Sequence, residues 1–347
     1  MIHRMLLGTH TSDDKPNYVQ IAEFEIPREW DPKREDYDEY MEEIGGFGKT
    51  AGAGKMKFNI TQKIDHPGEV NKARYQPQNP DILATMCVDG KILIFDRTKH
   101  SSQPTGKVNP QLELQGHKQE GFGLSWNPHA AGNLASGSED KTVCLWDLQG
   151  VQSSTNILKP ARRYTHHTHI VNDVQYHPFN PNFIGTVSDD LTMQILDTRE
   201  ASMDKAAMVA QGGHTDAINA LGWSPTSEYL FTTASGDKTI ALWDIRNVKM
   251  KIHTLEGHND AVTSVSWHPS EDGVIASCSY DRRVIFWDLS RAGDEQTPED
   301  AEDGPPEMCG TAYPFSICAS MSVLTCMQAL HAWRPYQSPC RLQLESQ

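Results

Sequence analysis

The sequence predicts an all-β fold in which a unit of about four strands recurs around an axis, the arrangement of a β-propeller. The first observation is an internal repeat: five segments align without a gap when each starts at a histidine, namely His66, His117, His167, His214 and His258. The second is an aspartate 30 residues after each histidine, at Asp96, Asp147, Asp197, Asp244 and Asp288. The third is that successive units start 51, 50, 47 and 44 residues apart, so only the connection between units varies in length.

Each unit contains segments typical of strands. In the second unit, 134–138 and 142–146 are rich in β-forming residues, and the turn Glu139-Asp140-Lys141 separates them. Three such strands and one in the connection give about four per unit, and a period of roughly 45 residues is that of a propeller blade.

The composition limits the class of protein and its partners. The 347 residues carry a net charge of -15 and have a mean hydropathy of -0.56. No apolar run reaches the length of a membrane helix, and the N-terminal segment does not have the pattern of a signal peptide, so no membrane association is expected. The seven cysteines contain no CxxC pair, which argues against zinc sites and disulfide frameworks. So acidic a surface favours basic partners over direct contact with nucleic acid.

The groups that resemble an active site are better explained as structure. Histidine, aspartate and a hydroxyl residue recur in every unit, and five identical active sites are implausible in one chain. The run His166-His167-Thr168-His169 has no carboxylate or cysteine that would complete a metal site. The glycine-rich segment 45–55 has Glu43 where a phosphate-binding loop needs glycine. We therefore expect no enzyme, no cofactor, no metal and no small-molecule substrate.

Several dipeptides resemble the WD-repeat family, namely Trp146-Asp147, Trp243-Asp244 and Trp287-Asp288, with Gly116-His117 and Gly257-His258 upstream. The resemblance implies a seven-bladed propeller, of which this chain holds about five complete blades and part of the first. It also implies a buried hydrogen-bonded set of four residues, a tetrad, in three blades: His117, Ser136, Asp140 and Trp146; His214, Thr233, Asp237 and Trp243; and His258, Ser277, Asp281 and Trp287. Phe95 and Leu196 replace the tryptophan in two further units, where no indole N–H is available.

Stretches outside the repeats resemble one subfamily, the histone-binding proteins related to retinoblastoma-binding proteins, chromatin assembly factor subunits and type B histone acetyltransferase subunit 2. They are residues 3–12, 68–80, 95–100, 238–247 and 298–307. The resemblance implies a scaffold and histone chaperone, nuclear and cytoplasmic. Such a subunit presents the core histones of the nucleosomal tetramer to complexes that acetylate, assemble, deacetylate or methylate chromatin.

The same resemblance implies two histone-binding sites. One is the acidic loop, with Glu299, Asp300, Glu302 and Asp303. The other is a peptide site across the mouth of the central channel, with Glu69, Glu120, Phe122 and Asn172. At Asn172, Ala217 and Ala261 this chain lacks acids that the family often has, which weakens the second site.

A different function remains open. Trp243, Asp244 and Arg246 match the short WD-x-Arg motif by which substrate receptors of cullin-type ubiquitin ligases contact their adaptor, and Leu196-Asp197-Thr198-Arg199 is a weaker copy.

The resemblance also predicts the organisation of the chain. We expect a partial first blade with acidic and glycine-rich loops over 1–60, five repeats over 61–293 and an acidic Pro-Pro loop over 294–307. Residues 308–347 hold four cysteines and no repeat register, and we expect a non-family tail that is disordered or encoded by a mis-spliced message. An open ring exposes strand edges, so this polypeptide is expected to be unstable or prone to aggregation.

Overall fold

The computed structural model of the chain describes residues 2–11, 15–25, 37–38, 43–44, 58–150, 156–298, 301 and 304–312. Over these residues the predicted all-β fold is confirmed, with strands and short 3₁₀ turns as the regular elements. None of them forms a helix long and apolar enough to cross a membrane. The strands are β1 Ile2–Gly8, β2 Asn17–Glu25, β3 Tyr37–Asp38, β4 Glu43–Ile44, β5 Phe58–His66, β6 Val70–Gln76, β7 Asn79–Cys87, β8 Ile92–Asp96, β9 Leu112–Leu114, β10 Gly123–Trp126, β11 Asn133–Gly137, β12 Val143–Asp147, β13 Ile157–Leu158, β14 Arg162–Tyr164, β15 Val171–Tyr176, β16 Phe183–Ser188, β17 Thr192–Asp197, β18 Met208–Gln211, β19 Ile218–Trp223, β20 Leu230–Ser235, β21 Thr239–Asp244, β22 His253–Glu256, β23 Val262–Trp267, β24 Val274–Ser279, β25 Val284–Asp288 and β26 Met308–Ala312.

Most of these strands form antiparallel sheets that follow one another along the chain. We number the sheets as blades: blade 1 is β1-β2-β5, blade 2 is β6 to β9, blade 3 is β10-β11-β12-β14, blade 4 is β15 to β18, blade 5 is β19 to β22 and blade 6 is β23 to β26. The short strand β13 joins β9 of blade 2 in parallel, and β3 and β4 pair only with each other. From blade 2 to blade 6, the first strand of each blade contacts the first strand of the next, so these strands line a common axis.

The hydrophobic core lies between adjacent blades. One cluster joins Ile240 and Leu255 of blade 5 to Val265 and Ile275 of blade 6, and similar clusters fill the other interfaces. Strand residues alternate between the two faces of a sheet, and both faces of a blade are covered by neighbours. This explains why the third strand of each complete repeat is apolar on both faces.

The second aspartate of each repeat ends the third strand. Its carboxylate accepts the backbone N–H two residues later and so caps a turn. For Asp244 the acceptor distance to the Arg246 nitrogen is 2.8 Å, and the other four lie between 2.9 and 3.1 Å: Asp96, Asp147, Asp197 and Asp288. The constant spacing of the repeat therefore marks a constant strand end.

Two expected boundaries are wrong. The boundary between residues 60 and 61 falls inside β5, the last strand of blade 1. The tail expected from residue 308 begins with β26, which pairs with β25 as the outer strand of blade 6. Segment 308–312 has no alternation that would have predicted a strand, because its pairing depends on the free edge of β25. The remainder of the expected tail, 313–347, lies outside the described residues.

Candidate binding surface at the channel mouth

In three blades a histidine, a hydroxyl residue, an aspartate and a tryptophan form one connected tetrad. In blade 5, His214 Nδ1 lies 3.0 Å from Asp237, and His214 Nε2 lies 2.8 Å from the Thr233 hydroxyl. Trp243 Nε1 donates to the same hydroxyl at 2.8 Å. The corresponding contacts of the other two tetrads, His117-Ser136-Asp140-Trp146 and His258-Ser277-Asp281-Trp287, measure 2.7 to 3.3 Å. The structure thus brings together all twelve residues that the sequence grouped.

The electrostatics of the tetrads indicate a structural role. Burial alone would raise the pKa of Asp237, but hydrogen bonds from His214, the Thr215 N–H and Thr239 lower that pKa below its ordinary value. The pKa of the equivalent aspartate is lowered in the same way in three other blades, at Asp140, Asp190 and Asp281. Each carboxylate is ionised and already accepts several hydrogen bonds. The set stabilises the loop before each blade, and it leaves no free base beside the hydroxyl.

Blade 2 keeps only part of this arrangement. Phe95 is fully buried in place of the tryptophan, and His66 Nε2 lies 3.0 Å from the Thr85 hydroxyl. His66 Nδ1 contacts the Gly68 carbonyl at 2.7 Å, while Asp89 pairs with Lys91. This blade packs without an indole donor, as the sequence indicated.

Blade 4 replaces the indole with another ring, which the sequence analysis missed. Leu196 stands at the tryptophan position, and His166 stands where the other tetrad blades have glycine. His166 Nε2 lies 3.2 Å from the Thr186 hydroxyl, the atom that a tryptophan would reach. In the tetrad blades a Cβ at that glycine would lie only 2.2 to 3.0 Å from the tryptophan ring. A side chain there and an indole therefore exclude each other, and the imidazole of His166 takes the place of the indole.

His166 is also the residue that a metal interpretation of 166–169 would require. Burial, and then the neighbouring His167, lower the pKa of His166 to about 3, so its ring is neutral. Among the described residues no group of three or more histidine, cysteine or acidic side chains is placed to hold a metal ion.

The channel mouth is the end of the axis formed by the loops that precede the first strands. Three of the four predicted residues are partly exposed there. Glu69 lies 3.0 Å from His10, Glu120 accepts a hydrogen bond from Asn71 at 2.9 Å, and Phe122 exposes 43% of its surface. Two carboxylates and an aromatic ring thus face the solvent beside blades 2 and 3.

The fourth predicted residue, Asn172, has a supporting position. Its amide donates to Asp189 at 2.7 Å and to the Ile218 carbonyl at 2.9 Å. Both donor hydrogens are used within the protein, so Asn172 fixes Asp189 and links blade 4 to blade 5.

Two acids that the sequence analysis did not select lie at the same mouth. Burial and the nearby charges of Glu120 and Asp189 raise the pKa of Glu139. The Glu139 N–H also donates to the Glu120 carbonyl at 2.9 Å, which holds the two loops together. The signal was present in the repeat, because Glu139 and Asp189 each precede the turn aspartate. Tyr280 occupies that position in blade 6 and exposes 68% of its surface.

Exposed acids also stand beside the two alanines. Asp216 precedes Ala217, Asp260 precedes Ala261, and each carboxylate accepts the backbone N–H of its alanine, at 2.7 and 2.8 Å. The mouth is therefore acidic from blade 2 to blade 6, including the two blades in which the sequence indicated missing charge.

Three family models match the chain. The model for the histone-binding protein RBBP4 or its counterpart in the CAF1 complex matches residues 1–28. "WD domain, G-beta repeat" matches 108–147, and "EIPR1 beta-propeller" matches 148–287. Histone acetyltransferase type B subunit 2 of Neurospora crassa is 64% identical over 310 residues, which cover 88% of this chain and 70% of that protein. The proteins of the same name from Gibberella zeae and Aspergillus oryzae are 65% and 62% identical, and each alignment covers 88% of this chain and 71% of the relative.

The chain belongs to this WD-repeat family. The resemblance inferred from the WD dipeptides and from the stretches outside the repeats is confirmed by relatives that match over most of its length. The match to residues 1–28 includes the stretch 3–12 that indicated the histone-binding subfamily.

The adaptor motif lies on the opposite end of blade 5. Trp243 is buried in its tetrad, while 65% of the Arg246 side chain is exposed. The Arg246 guanidinium donates twice to Asp244 and lies 4.3 Å from the centre of the Tyr229 ring. Arg199 folds onto Asp197 in the same way in blade 4. The arginines already have partners within the chain, and the ligase interpretation stays a prediction.

The acidic loop of the family-based prediction, Glu299, Asp300, Glu302 and Asp303, lies outside the described residues. Its two ends are described. Gln296 donates to the Gly304 carbonyl at 3.1 Å, and the buried carboxylate of Glu307 lies 2.8 Å from His253 Nε2 of blade 5. The loop therefore starts and ends at the junction of blades 5 and 6.

Proposed function

We propose that this chain is a histone-binding, non-catalytic subunit of chromatin complexes, with the acidic channel mouth as a docking surface for a basic histone segment. Family membership supports the class of function, because the relatives are named as subunits of a histone acetyltransferase and one matching model is named for histone binding. The acidity of the whole chain agrees with a basic partner.

The observation that carries the proposal is the acidic and aromatic channel mouth. Glu120, Glu139 and Asp189 lie close enough that two of them raise the pKa of the third, so a cationic side chain is favoured among them. Phe122 adds an exposed ring at which a lysine or arginine is attracted to the aromatic face. A lysine- or arginine-rich peptide in extended form fits this combination better than a nucleic acid does.

The finer parts of the proposal extend the family inference. We propose the histones of the nucleosomal tetramer as the bound pair, and a location in the nucleus and the cytoplasm. The acidic loop, with Asp300 and Asp303, is proposed as a second histone contact through charge-assisted hydrogen bonds.

A fluorescence-anisotropy titration of the full chain with a labelled basic histone peptide tests the channel mouth. The triple variant Glu120→Gln, Glu139→Gln, Asp189→Asn removes three charges while it keeps side-chain size. We expect peptide binding at least about tenfold weaker than in the wild type, and a smaller dependence on salt. Glu200→Gln is the matched control, because this exposed acid lies at the opposite end of blade 4.

Unchanged peptide affinity in the triple variant contradicts the mouth as the docking surface. In that case charge reversal at Asp300 and Asp303 in the same titration decides whether the acidic loop binds the peptide. Affinity that is equal for the wild type, the triple variant and the loop variant contradicts both proposed sites.

A further inference from the structure

The central channel has a basic wall below its acidic mouth. Lys72 and Arg74 lie on β6, the first strand of blade 2, two residues apart and therefore on the same face of the strand. Both side chains are partly buried, and β6 contacts β10, the first strand of blade 3. The two cations thus lie near the axis.

The positive charge of this pair is not balanced among the described residues. Burial lowers the pKa of Lys72, the charge of Arg74 lowers it further, and only Asp173 raises it. No carboxylate of the described residues lies at ion-pair distance from either cation, and Arg74 donates only to the Ala73 carbonyl, at 3.0 Å. Asp173 is buried, and its oxygens already accept hydrogen bonds from Gln175 and from the Leu221 N–H. One engaged acid thus stands against two cations.

The charge is a property of this blade and is not required by the fold. In three other blades the positions equivalent to Lys72 and Arg74 hold small neutral residues: Gly123 and Ser125, Ala220 and Gly222, and Ser264 and Ser266. Two long basic side chains therefore replace residues that would leave the wall neutral. The small neighbours in blade 3 also leave room beside the pair.

We propose that Lys72 and Arg74 form a binding site for a small phosphate-like oxyanion in the central channel. A guanidinium group matches a tetrahedral oxyanion with paired N–H donors, and an ammonium group adds a point charge. The site has the opposite sign to the channel mouth, so the basic peptide of the proposed function does not compete for it. The inference stands independently of that function.

Thermal unfolding of the full chain with inorganic phosphate, compared with sodium chloride of equal ionic strength, tests the site. We expect phosphate to raise the Tm of the wild type by about 2–4 °C at saturation, because a ligand that binds only the folded state stabilises it. Lys72→Met keeps the length of the side chain and removes one charge. It is expected to raise the Tm without phosphate and to abolish the phosphate response. Lys107→Met, which removes an exposed lysine, is the control and keeps the full response.

Calorimetric titration with inorganic phosphate provides a second measurement. Asp173→Asn removes the nearby negative charge and keeps one acceptor oxygen, so we expect tighter phosphate binding. The proposal is overturned if phosphate gives no stabilisation beyond the chloride control. It is also overturned if Lys72→Met responds as the wild type does, since the anion then binds elsewhere.

Discussion

Exchanging one pair of side chains in blade 4 tests whether an imidazole replaces an indole there. The change is His166→Gly together with Leu196→Trp, which gives blade 4 the pair found in blade 5. In blade 5 the glycine is required, because a Cβ at Gly213 would lie 2.2 Å from the Trp243 ring. The two positions in blade 4 are therefore expected to depend strongly on each other.

The single variants and the double variant differ in predictable ways. His166→Gly removes a ring and its contact with the Thr186 hydroxyl and adds a flexible glycine, which we expect to cost about 2–4 kcal/mol. Leu196→Trp alone places an indole where the His166 ring lies, which we expect to cost about 1–3 kcal/mol. In the double variant the indole fits and donates to Thr186, so the loss is within about 1 kcal/mol. The coupling energy is then at least about 2 kcal/mol.

Urea unfolding followed by circular dichroism gives the four stabilities of this cycle. The reasoning is refuted if the double variant is as unstable as the sum of the single variants, because His166 then does not occupy the space of the indole. The reciprocal exchange in blade 5, Gly213→His with Trp243→Leu, is the matched control. It should show the same sign of coupling, with Gly213→His alone the most damaging change.

Three further predictions follow from single contacts. Burial and a neighbouring histidine lower the pKa of His166 to about 3, so the ring stays neutral when folded but protonates below pH 6.5 when unfolded, and stability falls as the pH drops. His166→Gln should reduce the loss between pH 7 and pH 5 by about 2 kcal/mol in urea titrations, and an unchanged loss would contradict the lowered pKa. Asp237→Ala leaves its histidine without an acceptor and should cost about 1–3 kcal/mol in the same assay, whereas a neutral effect would mean that the tetrad adds nothing to stability. Gly90 has φ +80°, and a Cβ there would lie 2.5 Å from the Gln119 carbonyl, so Gly90→Ala should destabilise the chain by about 1–3 kcal/mol. Leu191 has φ 65° at the equivalent turn, and Leu191→Gly should stay within about 1 kcal/mol of the wild type in thermal unfolding.

The tetrads were predictable because their signal is local and repeated. His214, Asp237 and Trp243 recur at constant spacing in other units, and alternating strands place such residues on fixed faces. The capping role of the second aspartate follows from the same constancy. The family resemblance added the location of the channel mouth, at which the structure places Glu69, Glu120 and Phe122.

The channel mouth was only half predicted, for a physical reason. Glu139 and Asp189 come from loops of different blades, 50 residues apart, and no spacing within one repeat indicates that their charges meet. Asn172 had the expected location, but its two hydrogen bonds to Asp189 and Ile218 are decided by the neighbouring strands.

The sequence by itself determined the all-β class, the repeat and the residues of each complete tetrad, because these depend on short-range periodicity within one blade. Only the tertiary structure decided that His166 replaces an indole, that 308–312 pairs as an outer strand and that Lys72 and Arg74 meet a single engaged acid. These features depend on which groups from distant parts of the chain come together. Packing space, strand pairing and charge balance are properties of the assembled blades, and the order of residues along one blade does not contain them.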